Sequence, residues 1–189
     1  MVLAKNYLQR LISCTPGDIE EKITKLINEI DECRKNNNVV YICGNGGSAA
    51  NALHISNDLH YGACKNAKNS RGIKVEALAS NTSILTCLGN DLGYEQIFSH
   101  QVERKGMKGD MLLVLSGSGN SKNIINAIEV GRKKEMKTIG IFGYDGGICK
   151  NLVDIAIHFD VNDMQISEDW QLIVGHICMQ EILIRSKQG

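Results

Sequence analysis

The sequence predicts an α/β protein: a parallel sheet of short buried strands with helices on both faces. Three observations carry this. Apolar runs too short to be helices, such as Val39-Val40-Tyr41-Ile42-Cys43 and Met111-Leu112-Leu113-Val114-Leu115, alternate with segments of helical periodicity. These runs are apolar on successive residues, as strands covered on both faces require. Two of them end in glycine- and serine-rich turns, Gly44-Asn45-Gly46-Gly47-Ser48 and Ser116-Gly117-Ser118-Gly119-Asn120-Ser121. In parallel sheets, ligands bind beyond the C-terminal ends of the strands.

The elements follow in order. A short helix is expected over roughly Ala4 to Ser13, separated by Pro16-Gly17 from a second one. In that second helix Ile19, Ile23, Leu26, Ile27 and Ile30 recur at helical spacing, with Asp18 as its N-cap. The strand at Val39–Cys43 leads through the first glycine turn to a helix over Ala49 to His60. Ile73 to Ala79 reads as a strand. Thr82 to Leu88 and Tyr94 to Arg104 read as helices, with Gly89-Asn90-Asp91 as the turn between them. The strand Met111–Leu115, a helix from Asn123 to Lys134, strands at Lys137–Phe142 and Val153–Phe159, and a last helix from about Ser167 to Ser186 complete the chain. The charged stretch Lys65 to Arg71, with Lys68, reads as a solvated loop rather than a lid with phosphate affinity.

Composition narrows the function. At 189 residues with no internal repeat, the chain is expected to be one domain with a sizeable core. Its formal net charge of +0 favours neither nucleic acid nor an anionic membrane. No apolar run approaches a membrane span, and Met1 to Arg10 lacks the order of a signal peptide. The 7 cysteines contain no CxxC pair and are odd in number, so they read as reduced, packed thiols of a cytoplasmic protein.

The turn at Ser116–Ser121 lies between a strand and a helix, which is how a chain builds a phosphate cradle. Unpaired N–H groups at a helix N-terminus attract an anion, serine hydroxyls add donors, and glycine lets the backbone approach closely. The turn has no lysine, so it is not a nucleotide P-loop. Gly44–Ala49 fits the loose dinucleotide pattern GxGxxG/A. The acid that pattern wants at the next strand's end is missing, because Glu76 falls inside the strand and too far along. On the helix after Gly44–Ser48, His54 and Asp58 are four residues apart and share a face. They can share a metal ion, act as an acid/base pair, or form a plain solvated ion pair. The last helix carries Glu168, Gln171 and His176. His176 reads either as a hydrogen-bonded core histidine or as a general base. His158 alternates with Ile157 and Phe159 and reads as structural.

Taken together, Cys43-Gly44-Asn45-Gly46-Gly47-Ser48-Ala49-Ala50, His54 with Asp58, Gly89-Asn90-Asp91 with Tyr94-Glu95, the Ser116–Ser121 turn, and Glu168 with His176 resemble the sugar isomerase (SIS) domain family. Within it they resemble the sedoheptulose-7-phosphate (phosphoheptose) isomerases. GNGGSA followed at this distance by SGSGNS is specific where neither half is. The resemblance spans nearly the whole chain. It implies a three-layer αβα sandwich on a five-stranded parallel sheet, with residues 1–36 as added N-terminal helices and 37–189 as the αβα core and C-terminal helix. It also implies a cytoplasmic homotetramer with active sites at subunit contacts.

The implied reaction is aldose–ketose isomerisation of a sugar phosphate, for a heptose of surface polysaccharide. By the same resemblance Asn45, Gly46, Gly47, Ser48, Asp58, Asn90, Asp91 and Glu168 line the sugar site. Ser116, Gly117, Ser118 and Ser121 take the phosphate, and Asn120 fixes the turn. His176 is the implied base and Asp58 its partner acid. Zn²⁺ is implied on His54, Asp58, Glu168 and His176. The family typically has Glu at the position of Asp58 and Gln at that of Glu168, and both changes keep zinc-compatible donors. Eight residues separate Glu168 from His176, about 12 Å on an ideal helix. Both can therefore reach one ion only if Glu168 precedes the regular helix, or if they serve different subunits. A non-catalytic sugar-phosphate binder and an isomerase of another phosphosugar are the competing readings.

Overall fold

The computed structural model describes residues 3–65 and 72–188, so most of the charged stretch that includes Lys68 and Arg71 lies outside the described residues. Helices α1 (Leu3–Ser13) and α2 (Ile19–Asn36) precede β1 (Val39–Gly44), α3 (Gly47–His60), β2 (Lys74–Ala77), α4 (Thr82–Asp91) and α5 (Ser99–Lys105). Then come β3 (Met111–Ser116), α6 (Lys122–Lys133), β4 (Lys137–Phe142), β5 (Ile155–His158) and α7 (Met164–Gln188). The five strands form one sheet in the order β2-β1-β3-β4-β5, and every pairing is parallel.

Alternate side chains of each strand feed two separate cores. Val40, Ile42, Met111, Leu113, Leu115, Ile139 and Ile141 pack against apolar residues of α2, α3 and α7. Tyr41, Cys43, Leu112, Val114 and Phe142 pack against Leu88 of α4, Phe98 and Val102 near and in α5, and Ile124 and Ile128 of α6. The result is the three-layer αβα arrangement. A strand must be apolar on both faces to sit in its middle layer, which is why the runs do not alternate.

Several boundaries differ from expectation, each for a local reason. The edge strands β2 and β5 are shorter than Ile73–Ala79 and Val153–Phe159 because each has a ladder on one side only. Gly89-Asn90-Asp91 is not a turn. α4 continues through it, the Leu92 N–H still bonds the Leu88 carbonyl at 2.9 Å, and the helix ends where Gly93 adopts φ 97°. The expected helix over Tyr94 to Arg104 is a 3-10 turn, Tyr94–Gln96, followed by α5; between them the chain bends to bury Ile97 and Phe98. Asp18 makes no capping hydrogen bond and instead pairs with Lys22 at 2.9 Å.

The last helix begins a turn earlier than Ser167. Asp163 Oδ1 accepts the N–H groups of Gln165 and Ile166 at 3.0 and 3.2 Å, capping α7. Its other oxygen pairs with Arg10 at 2.6 Å, which ties α1 to the same point. The Trp170 indole, stacked on Phe159 with centroids 4.3 Å apart, donates to the Leu11 carbonyl at 3.1 Å. Tyr7 donates to Asp169 at 2.6 Å. α1 is thus held by polar contacts and by Tyr7 and Leu11, while Leu3, Leu8 and Ile12 remain exposed.

The Ile166 N–H, reinforced by Arg10, holds the Asp163 carboxyl below the usual carboxylate range. A depressed folded value gives stability that is present above the unfolded value of about 3.9 and is lost as pH falls through the folded one. Asp163→Ala is expected to cost about 1 kcal/mol in chemical denaturation at pH 7. The difference from wild type should shrink as the pH is taken into the acid range.

Candidate active site

β1 and β3 lie side by side with Gly44 opposite Leu115, so the turns that follow them are neighbours. From this pair the chain leaves in opposite directions, to β2 through α3 and to β4 through α6. This is the topological switch point of the sheet, where the crevice of an open α/β fold lies. A cleft of about 240 Å³ opens there, lined by Asn45, Gly46, Gly47 and Ser48 from the first turn and Leu115, Ser116, Gly117, Ser118 and Ser121 from the second. Met164 and Glu168 of α7 close it. The N-termini of α3 and α6 both end at this cleft, so their free N–H groups supply partial positive charge without a basic side chain.

The second turn is braced from within. The Gly119 N–H donates to Ser116 Oγ at 3.1 Å. Asn120 donates to the Ser118 carbonyl at 3.1 Å and accepts from the Ile148 N–H at 3.1 Å. Asn120 therefore fixes the turn and is not among the residues lining the cleft. Asn90 and Asp91 also stand outside it, at the exposed end of α4, where Asn90 donates to Asp91 at 2.8 Å.

A buried amide network joins α3 to α7. Gln171, fully buried, donates to Ser48 Oγ at 3.0 Å and accepts from Asn51 at 2.9 Å. Asn51 also donates to the Glu168 carbonyl at 3.0 Å. The contacts Ser48–Gln171 and His54–His176 advance together, continued by Ala63–Ser186 in the 3-10 turn just after α3, so the two helices run parallel. Nothing local marks Gln171, Asn123 or Met164 for these roles; for Asn51 the available signal is an amide in an otherwise apolar helical stretch, Ala49 to Leu53.

Two turns below the cleft, His54, Asp58 and His176 converge. Their ligand atoms all lie within 4.8 Å of one another. His54 Nε2 is 2.9 Å from His176 Nε2, and Asp58 Oδ2 is 3.4 and 3.6 Å from the two nitrogens. Tetrahedral ligands of zinc lie about 3.4 Å apart, given bonds of about 2.1 Å. The donor set, two imidazole nitrogens and one carboxylate oxygen, fits such an ion. His176 is not a core histidine: its side chain is 45% exposed, and that of His54 is 50% exposed. His158, by contrast, is held by the Tyr144 carbonyl at 2.8 Å and by Lys150 at 3.1 Å, in keeping with a structural role.

Glu168 does not join this group. It lies inside α7, so the possibility that it precedes the regular helix is removed. Its carboxylate packs against Gly47, where a Cβ would collide with both oxygens, and it accepts a hydrogen bond from the Ser48 backbone. Burial first, then the neighbouring Asp169, push its pKa up, against the lowering effect of that hydrogen bond. An anionic side chain thus occupies one wall of a cleft suited to anions.

Such a sheet, with paired glycine–serine turns at its switch point, defines a sugar isomerase domain. The SIS domain model matches residues 5–143, and the chain belongs to that family. Within it the chain is similar to the phosphoheptose isomerase of Aliarcobacter butzleri, 41% identical over 182 residues that cover 95% of each chain. Solved structures of phosphoheptose isomerases agree. GmhA from Neisseria gonorrhoeae superposes with a TM-score of 0.84 at 28% identity, covering 95% of this chain and 96% of that one. The enzyme from Francisella tularensis gives 0.85 at 26% identity over 96% of both.

Replacing Glu168 by Gln removes a charge from the cleft while keeping its shape. Glu168→Gln is expected to bind inorganic phosphate more tightly, on the order of tenfold by calorimetry at pH 7.5. Because the folded pKa of Glu168 is raised, its ionised form is penalised by folding. Wild type should therefore gain stability relative to the variant as pH falls from neutral.

Proposed function

We propose that this protein is a phosphoheptose isomerase that interconverts sedoheptulose 7-phosphate and D-glycero-D-manno-heptose 7-phosphate, supplying heptose for a surface polysaccharide. The activity named for its relative from Aliarcobacter butzleri, at 41% identity, supports this. The observation that carries it is the placement of two chemistries on one pair of parallel helices. The anion cleft lies at the start of α3, and His54, seven residues further on and about 10 Å along the axis, meets Asp58 and His176 there. An extended heptose phosphate has its phosphate and its carbonyl at opposite ends, and these two subsites are separated in the same sense.

Ser116, Ser118 and Ser121, with the N-terminal N–H groups of α3 and α6, hold the phosphate. That remote grip positions the reacting carbons. Moving the carbonyl from C2 to C1 requires a proton to leave C1 and one to arrive at C2, through an enediol. His176 Nε2 takes the first, the Asp58 carboxyl returns the second, and the proton of the O1 hydroxyl passes to O2; transfer from His176 to Asp58, 3.6 Å apart, then resets the pair. Glu168, in the wall of the anion cleft, accepts hydrogen bonds from sugar hydroxyls. His54, Asp58 and His176 are the residues that would hold Zn²⁺, which when bound supplies a Lewis acid for the carbonyl. The lone pair of His176 Nε2 serves proton transfer or ligation, not both at once.

The reading also takes residues 1–189 as one SIS domain in a cytoplasmic enzyme whose partner is a small sugar phosphate, not nucleic acid or membrane. Keeping water from the half-exposed histidines strengthens their electrostatics, and a homotetramer with active sites at subunit contacts would do so. The exposed Leu3, Leu8 and Ile12 of α1, and the apolar groove formed by Ile19, Ile23, Ile27, Ile173 and Ile177, support such an assembly.

Purified protein supplied with zinc should convert sedoheptulose 7-phosphate to an aldose phosphate, and His176→Ala should lose at least a hundredfold in kcat, roughly the contribution of a general base. A chelator that abolishes turnover, restored by zinc, assigns His176 to ligation; turnover that survives chelation assigns it to proton transfer. Sugar phosphates that raise the melting temperature without turnover would leave a binding protein, and a panel of ketose phosphates would expose a different sugar. Ile177→Asp, beside His176 and 40% exposed, is expected to reduce the assembly mass in light scattering and lower activity with it.

A further inference from the structure

The side chain of Asn45 is clamped. Asn45 and Asn123 exchange two amide hydrogen bonds, at 2.9 and 2.8 Å. Tyr94 Oη donates to the same Asn45 oxygen at 3.0 Å. An amide oxygen has two acceptor sites and an amide nitrogen two hydrogens. Both acceptor sites of Asn45 are filled and one hydrogen is spent, so Asn45, which lines the cleft, has one N–H left to offer. Asn123 is 2% exposed in the first turn of α6, where solvent cannot compete for its amide. The turn that bears Tyr94 is tied to the same helix, since Asn126 donates to the Glu95 carbonyl at 3.0 Å.

We infer that Tyr94 and Asn123 are positioning residues that hold the Asn45 amide so that it presents an N–H donor, and not its carbonyl, to an oxygen of the bound sugar phosphate. This rests on the isomerase reading of the same cleft. Without the clamp the amide rotates about its terminal torsion, which is soft, and presents either end. A ligand oxygen then meets a donor only part of the time, and the ordering cost falls on binding. The clamp also explains why Tyr94, a residue 61% exposed, spends its hydroxyl on an internal contact.

The test compares Tyr94→Phe and Asn123→Asp with wild type, measuring kcat, KM, melting temperature, and the Kd of sedoheptulose 7-phosphate and of inorganic phosphate. Tyr94→Phe removes one exposed hydroxyl and leaves the fold intact. Asn123→Asp keeps the shape but loses a donor, and its result is used only if its melting temperature stays near that of wild type. Lost positioning raises KM and the Kd of the sugar phosphate about fivefold, with kcat nearly unchanged. A merely structural role lowers melting temperature and apparent kcat while KM stays put. Unchanged KM and Kd in Tyr94→Phe overturn the inference and leave the isomerase reading standing. A wild type that binds sedoheptulose 7-phosphate without turnover removes the isomerase reading, and the Kd values then decide the inference alone. A wild type that binds neither probe overturns both.

Discussion

β1 lies in register beside β3, Gly44 opposite Leu115, and the chain departs from that pair in opposite directions. Right-handed crossovers then put α3 on one face of the sheet and α6 on the other. Two helix N-termini and two hydroxyl-bearing turns meet above the gap between them. No basic side chain is needed in the cleft, because backbone N–H groups at helix starts already carry the charge. Had β2 or β4 been inserted between β1 and β3, the same two sequence motifs would stand a strand apart and form no common wall.

The second dependence is the alignment of α3 with α7. A buried polar network is costly unless its groups are paired, and in the Ser48–Gln171–Asn51 network both ends of the Gln171 amide are bonded and Asn51 donates twice. Pairing of that kind tolerates little sliding, so it fixes the register of the two helices. The same register delivers Glu168 to Gly47 at one level and His176 to His54 two turns below. The anion cleft and the His/Asp/His cluster are therefore placed by one helix register.

Glu168 sets a tension within this arrangement. Its carboxylate competes for the N–H groups and the field that suit an incoming phosphate, and burial already disfavours its charge. Asp58, one methylene shorter than the family's usual Glu, still lies 3.4 and 3.6 Å from the two histidines because it follows His54 by one helical turn on the same face. The two departures from the family pattern thus differ in consequence: one is absorbed by helix geometry, and the other changes the charge of the cleft.

Much of this was legible in the chain itself. Consecutive apolar residues in Val39–Cys43 and Met111–Leu115 required strands covered on both faces, and the spacing of His54 and Asp58 placed them on one helical face. The glycine and serine turns announced a strand-to-helix anion site, because those properties are local: they depend on backbone freedom and on donors within a few residues. What composition and spacing left open, where the family resemblance did not reach, was how distant segments meet. Gly89-Asn90-Asp91 looked like a turn by composition, yet α4 runs through it. Asn123 looked like an ordinary helix start, yet it clamps an amide 78 residues away. His176 could have been a core histidine, and only the face that α7 turns toward α3 put it beside His54 and Asp58. Local chemistry is written in adjacent residues, whereas strand order and helix register arise from competition among all the buried surfaces at once, and that competition is decided only in the folded chain.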